Sequence, residues 1–145
     1  MLSASLDGTV KAHDSLTCRY FRSFYTPVSC QMLSLAANAS SSIFVTGSFS
    51  EPCNIFLWNV ANVQLKEVLS AHSGPITPLN FSNITTNNLL LLSAPWDKTT
   101  QVWDYSKSSN INNDDFNMNK DIIASSMSPD QDHKSLATID SIITI

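Results

Sequence analysis

Short apolar or alternating runs recur along the chain between polar, turn-forming stretches. Residues 29–36, 43–48, 55–60 and 64–69 predict four successive strands, joined by connections at 38–42, 49–54 and 61–63. The pattern returns at 76–81, 89–94 and 100–104 and then loses its apolar positions. The Asn/Ser/Asp tract at 107–120 has little to bury and predicts a long loop or a ragged outer strand. Strands resume near 122–128 and 136–139, with a last piece at 142–145. No helical heptad or solenoid period fits as well, so the expectation is an all-β protein.

The strands fall into a repeat. Ser3-Ala4-Ser5-Leu6-Asp7-Gly8-Thr9 matches Ser93-Ala94-Pro95-Trp96-Asp97-Lys98-Thr99 in its Ser, Ala, Asp and Thr, and Asp14 matches Asp104 at the same shift. His13, Trp58 and Trp103 stand 45 residues apart (13 to 58, 58 to 103), followed by Asp14, Asn59 and Asp104. A period of about 40–45 residues closing on Trp-Asp is that of a propeller blade. The reading is about three four-stranded antiparallel blades in a ring that does not close. It divides the chain into a partial blade at 1–27, a blade at 28–70, a blade at 71–120 that carries the loop 107–120, and a partial blade at 121–145. The next Trp position would fall near 148, past Ile145, and Leu2-Ser3-Ala4 aligns with Leu92-Ser93-Ala94. The expectation is therefore a first unit without its innermost strand, in a chain that is part of a longer protein.

The residues of the third unit resemble the WD40 repeat family. That resemblance implies a hydrogen-bonded tetrad of His72, Ser93, Asp97 and Trp103, with Asp97-Lys98 at the tight turn between the second and third strands. Its chemistry is coherent: a buried indole N–H, an imidazole and a hydroxyl each need a partner, and a carboxylate can accept several bonds at once. The other units depart from the pattern. The first has Ser3 and Asp7 but His13 in place of Trp; the second has Trp58 but Glu51 or Pro52 in the Asp slot and no Gly-His before Ser29; Ala71 replaces the usual Gly before His72. Within the family, one ordered series is similar to a branch of WD40 proteins that are subunits of the small-subunit processome. The series runs through Leu2 to Asp14, Arg19 to Phe24, Ser29-Cys30, Ile55 to Trp58, Val68 to Ile76, Ser93 to Thr99, Asp121 to Ala124 and Ser128-Pro129-Asp130. That likeness implies a nucleolar scaffold for maturing the small-subunit ribosomal RNA precursor, partnered by other proteins of a large ribonucleoprotein assembly. The alternative is a generic WD40 adaptor, such as a ubiquitin-ligase substrate receptor or a chromatin subunit.

Composition narrows the chemistry. Apolar residues make up 43% of the chain and charged ones 14%, as in folded domains. With eight Lys and Arg spread along the sequence and a net charge of −4, any RNA association of this segment is expected to be indirect. The longest aliphatic run, Leu89 to Leu92, is too short to span a bilayer, and residues 1–11 lack the pattern of a secretory signal. Cys18, Cys30 and Cys53 form no CxxC pair, which points to a reducing compartment and makes the sequons at Asn38 and Asn83 coincidental. With His13, His72 and His133 they match no zinc spacing, so no metal, cofactor or small-molecule substrate is expected. Asp114-Asp115 and the Asp130/Asp132 pair sit in predicted loops without a nucleophile motif, and no G-x-S-x-G elbow is present, so no catalytic residue is assigned. His72, Asp97 and Ser93 have the residue types of a catalytic triad, but the WD40 register makes them structural. Trp96, just before the turn aspartate, is a candidate partner anchor on the propeller rim, with Pro75 and Thr77 beside it. The competing reading packs Trp96 against a neighbouring blade.

Overall fold

In a computed structural model of the chain, residues 1–70, 72–81, 90–97 and 99–104 are described in full, and the stretches 109–112, 122–127, 134–138 and 142–144 as strands. Lys98, Ala71, Asn83, His133, both Asp pairs and residues 113–120 lie outside the described residues. Among the described residues there is no helix, and the strands form four antiparallel sheets, none closed on itself. The first contains β1 (Leu2–Ala4), β2 (Thr9–His13) and β3 (Tyr20–Tyr25). The second contains β4 (Met32–Ala37), β5 (Ile43–Ser48), β6 (Asn54–Asn59) and β7 (Gln64–Ser70). The third contains β8 (Leu79–Phe81), β9 (Leu90–Ser93), β10 (Gln101–Asp104) and β11 (Ser109–Asn112). The fourth contains β12 (Ile122–Met127), β13 (Lys134–Thr138) and β14 (Ile142–Thr144). Each strand pairs with its neighbours in sequence, the meander of a propeller blade.

Burial explains why the runs look as they do. In the second sheet β5 and β6 are buried on both faces, because the sheet is packed between the first and the third. Its outer strand β7 alternates, with an exposed residue at every second position over most of its length. One core, between the first and second sheets, holds Val10, Phe24, Met32, Phe44, Phe56 and Trp58. There Phe24 meets Phe44 edge-on at 4.9 Å and Phe44 stacks on Trp58 at 6.0 Å. The other core, between the second and third sheets, gathers Val45, Leu57, Ile76, Leu91 and Trp103. Gly47 is needed at this seam: a Cβ there would sit 2.8 Å from Cβ of Ile76 and 2.5 Å from Oγ of Ser34.

Polar bonds repeat across the seams. The Met32 N–H donates to Ser5 O at 3.2 Å, and one blade later Ile76 N–H donates to Ser48 O at 3.1 Å. Arg22, on the outer strand of the first sheet, donates to the carbonyls of Val60 and Ala61 in a turn of the second. Asn80 donates to Ser125 O of the fourth sheet. A register shift also recurs where the third strand of each unit meets the outer one: at Ala12/His13, Leu57/Trp58 and Val102/Trp103. In each case the extra residue, at 21, 66 or 111, lies on the outer strand opposite the ring position, a bulge that recurs in place through the repeat.

Of the two alternatives for the tract 107–120, an outer strand is present over Ser109–Asn112, where β11 pairs with β10. An outer edge needs backbone partners more than apolar side chains, so an Asn/Ser stretch can supply it. The inner strands start later than the apolar runs, at Met32 and Leu79. Before Leu79, Pro75 and Pro78 have no N–H to give a ladder.

Candidate functional site

The four tetrad residues come together at one end of the third sheet. Ser93, at the end of β9, is fully buried, and its Oγ accepts the Trp103 indole N–H at 2.9 Å. The same oxygen lies 2.8 Å from His72 Nε2. On the far side of the ring, His72 Nδ1 is 3.5 Å from Asp97 Oδ2. Asp97 accepts the Ser73 N–H at 2.9 Å on one oxygen, and the Thr99 N–H at 3.0 Å and hydroxyl at 2.5 Å on the other. The carboxylate therefore closes its own turn and ties it to the connection leading into the sheet. That connection passes so close that a Cβ on Gly74 would lie 2.8 Å from the Asp97 nitrogen.

The electrostatics fit a neutral ring beside an ionised acid. Burial pushes the His72 pKa below its ordinary value, outweighing the attraction of Asp97. Burial pushes Asp97 upward, but bonds from Thr99 and Ser73, with His72 beside it, hold it below the usual carboxylate value. A neutral His72 carrying its proton on Nδ1 directs it at Asp97 and leaves Nε2 to accept from Ser93, so every donor in the array is used.

The other two units hold simpler forms of the array. In the first sheet Ser3 Oγ bonds His13 Nε2 at 3.0 Å, so the imidazole takes the place of the indole. Asp7 accepts the Thr9 N–H at 2.8 Å and hydroxyl at 2.7 Å, as Asp97 does from Thr99. The Thr9 side chain, then its backbone, lowers the Asp7 pKa. In the second sheet the Trp58 indole donates to Thr46 Oγ1 at 3.0 Å. Glu51 and Pro52 stand in the Asp slot there, the departure from the pattern noted in the sequence. Ser48 ties that turn instead, accepting the Asn54 N–H at 2.8 Å and donating to Pro52 O at 3.0 Å. Thr46 escapes a fixed-period alignment because it lies 12 residues before Trp58, whereas Ser93 lies 10 before Trp103. A search for any buried-strand hydroxyl upstream of each ring would have found it.

The residues after the ring positions serve turns. Asp14 accepts the Leu16 N–H at 2.9 Å and the Thr17 hydroxyl at 3.0 Å, and its pKa is lowered chiefly by Leu16. Asn59 accepts the Ala61 N–H at 2.8 Å. Asp104 is buried at the end of β10. On the rim, Trp96 keeps 43% of its surface exposed while its backbone N–H donates to Pro75 O at 3.1 Å. Its ring meets Phe49 edge-on at 6.3 Å, and Phe49 is itself 39% exposed. Trp96 thus touches the neighbouring blade and still faces solvent. Pro75 and Thr77 are half-buried. Phe49 was not legible as a rim residue, because it follows a buried strand without any motif. Among the described residues no group of His, Cys, Asp and Glu could hold a metal ion; Cys30 and Cys53 are buried and Cys18 is exposed.

Meanders of three or four strands, a recurring bulge and a repeated hydroxyl-to-ring bond define the class: an open, all-β array of propeller-type blades. No protein-family model matches the chain. It is similar to proteins named Periodic tryptophan protein 2. It is 34% identical over 140 residues to the one from Arabidopsis thaliana, covering 97% of this chain and 15% of the plant protein. The Saccharomyces cerevisiae protein is 36% identical over 128 residues, covering 88% of this chain and 13% of its own length. The Mus musculus homolog is 34% identical over 135 residues, or 93% of this chain and 14% of its own. The chain thus spans about 13–15% of the length of these relatives.

Proposed function

We propose that the protein is a non-catalytic WD40 scaffold of ribosome biogenesis, acting in small-subunit ribosomal RNA processing within a large nucleolar ribonucleoprotein assembly. The observation that carries this reading is the similarity over 97% of the chain to a Periodic tryptophan protein 2, together with its recurrence at similar identity in fungal and animal homologues. The geometry supports the non-catalytic part. The residues that could be taken for a triad spend their donors and acceptors on one another, and the hydroxyl that would attack is fully buried. What the blades leave facing outward on this rim is an aromatic pair, Trp96 and Phe49, of the kind that anchors protein partners. RNA in the assembly is then reached through those partners.

A fluorescent fusion is expected to concentrate in the nucleolus, and depletion of the protein is expected to accumulate unprocessed small-subunit ribosomal RNA precursor. Normal precursor levels on depletion, with a diffuse fusion that co-purifies with ubiquitin-ligase or chromatin subunits, would instead support the generic adaptor.

A further inference from the structure

The stretch from strand hydroxyl to ring is two residues longer in the second sheet than in the third, 12 from Thr46 to Trp58 against 10 from Ser93 to Trp103. That extra length carries Phe49 and Glu51 out over the rim, where Phe49 reaches Trp96 of the next turn. Beside them lies a cleft of about 810 Å³ between the two turns, lined by Glu51, Asn54, Ser73, Asp97 and Thr99, with His72 in its floor. The cleft is open and broad, a shape for a length of polypeptide more than for a small molecule.

Among the described residues its charge has one sign. Glu51 is exposed at the lip and Asp97 lies beneath it, while His72 is held neutral by burial. No Lys or Arg lines the cleft among the described residues. An anion would meet two carboxylates there, whereas a cation would meet Glu51, with the partly exposed rings of Trp96 and Phe49 on residues next to the lining turns. Arg and Lys also carry aliphatic stems that can lie along an aromatic surface while the charged head reaches a carboxylate.

We infer that this cleft binds an extended basic segment of a protein partner, with an Arg or Lys side chain laid across Trp96 and Phe49 and its charge directed at Glu51. The inference deepens the scaffold reading and rests on this face being a protein-binding rim.

The test is titration of the 145-residue chain, watching the Trp96 indole N–H by NMR with the buried Trp58 and Trp103 as internal references. Three probes are used: a nonapeptide of Gly, Ser and Leu carrying two arginines, the same peptide with two glutamates, and a uridine decamer. The arginine peptide is expected to shift the Trp96 signal saturably, and the other two to leave it in place. Trp96→Ala, followed through backbone amides of the cleft, should weaken binding by about 30-fold, as at an interface anchor. Glu51→Gln should weaken it by about two- to fivefold, the range an exposed ion pair supports, with a matching loss at high salt. Equal response to the glutamate peptide, preference for the decamer, or no response to the arginine peptide would overturn the inference. Co-purification separates this failure from that of the scaffold reading. If Trp96→Ala releases the assembly while Glu51→Gln and added salt do not, the rim binds protein but not through a basic segment; if neither releases it, both readings fail.

Discussion

Trp58→Ala is expected to lower stability by about 3–5 kcal/mol, the cost of deleting a large aromatic from a packed core. The ring is 2% exposed and sits among Phe24, Phe44 and Phe56, where the first and second sheets meet. Its loss would open a cavity in the seam and leave the Thr46 hydroxyl buried without its indole donor. Against a typical domain stability on the order of 5–15 kcal/mol, this is enough to shift a urea midpoint far to the left. Trp58→Phe separates the two contributions: it keeps most of the volume, loses the N–H, and should fall between wild type and Trp58→Ala. If the phenylalanine variant is as unstable as the alanine one, the hydrogen bond outweighs packing at this seam.

Ser93→Ala should cost about 2–5 kcal/mol, although it deletes a single oxygen. Two buried groups lose their partner at once, the Trp103 indole N–H and His72 Nε2, and each orphaned group costs about 1–3 kcal/mol. Ser93→Thr, which supplies the hydroxyl found at Thr46 in the second sheet, should recover part of the loss. The same array sets a pH dependence. The folded pKa of His72 lies below 6.5, so the unfolded chain takes up a proton first as pH falls, and stability declines from about 6.5 downward. The folded pKa of Asp97 also lies below its ordinary 3.8, so a second decline begins near that value as the carboxylate's bonds are lost. Both changes destabilise on the acid side. Denaturation followed between neutral pH and about pH 3 should show the first decline in wild type and lose it in His72→Phe.

What could be read from sequence and what could not divide along physical lines. Strands announced themselves wherever side chains must be buried: β5, β6 and β10 carry apolar residues on faces that meet other sheets. The array in the third unit was readable because His72, Ser93, Asp97 and Trp103 keep the spacing of the family they resemble. Thr46 was hidden by the longer stretch before Trp58, and with it the fact that all three units join a strand hydroxyl to a ring nitrogen. For strand β11 the sequence left loop and outer strand open, because its backbone, not its side chains, makes the pairing. The Arg22 bridge to Ala61 joins residues 39 positions apart, and no local pattern signals such a reach. Phe49 became a rim residue only when the next blade brought Trp96 beside it.

The three tryptophans divide the labour: Trp58 and Trp103 are fastened inside the blades, and Trp96 is held out at the rim. Hydrogen exchange of the indole N–H groups, read residue by residue by NMR, tests this most directly. Trp58 and Trp103 should exchange only through large-scale opening of the sheets, orders of magnitude more slowly than Trp96, whose proton should be lost almost at once. A Trp103 proton exchanging as fast as that of Trp96, or a Trp96 proton protected like the other two, would contradict it.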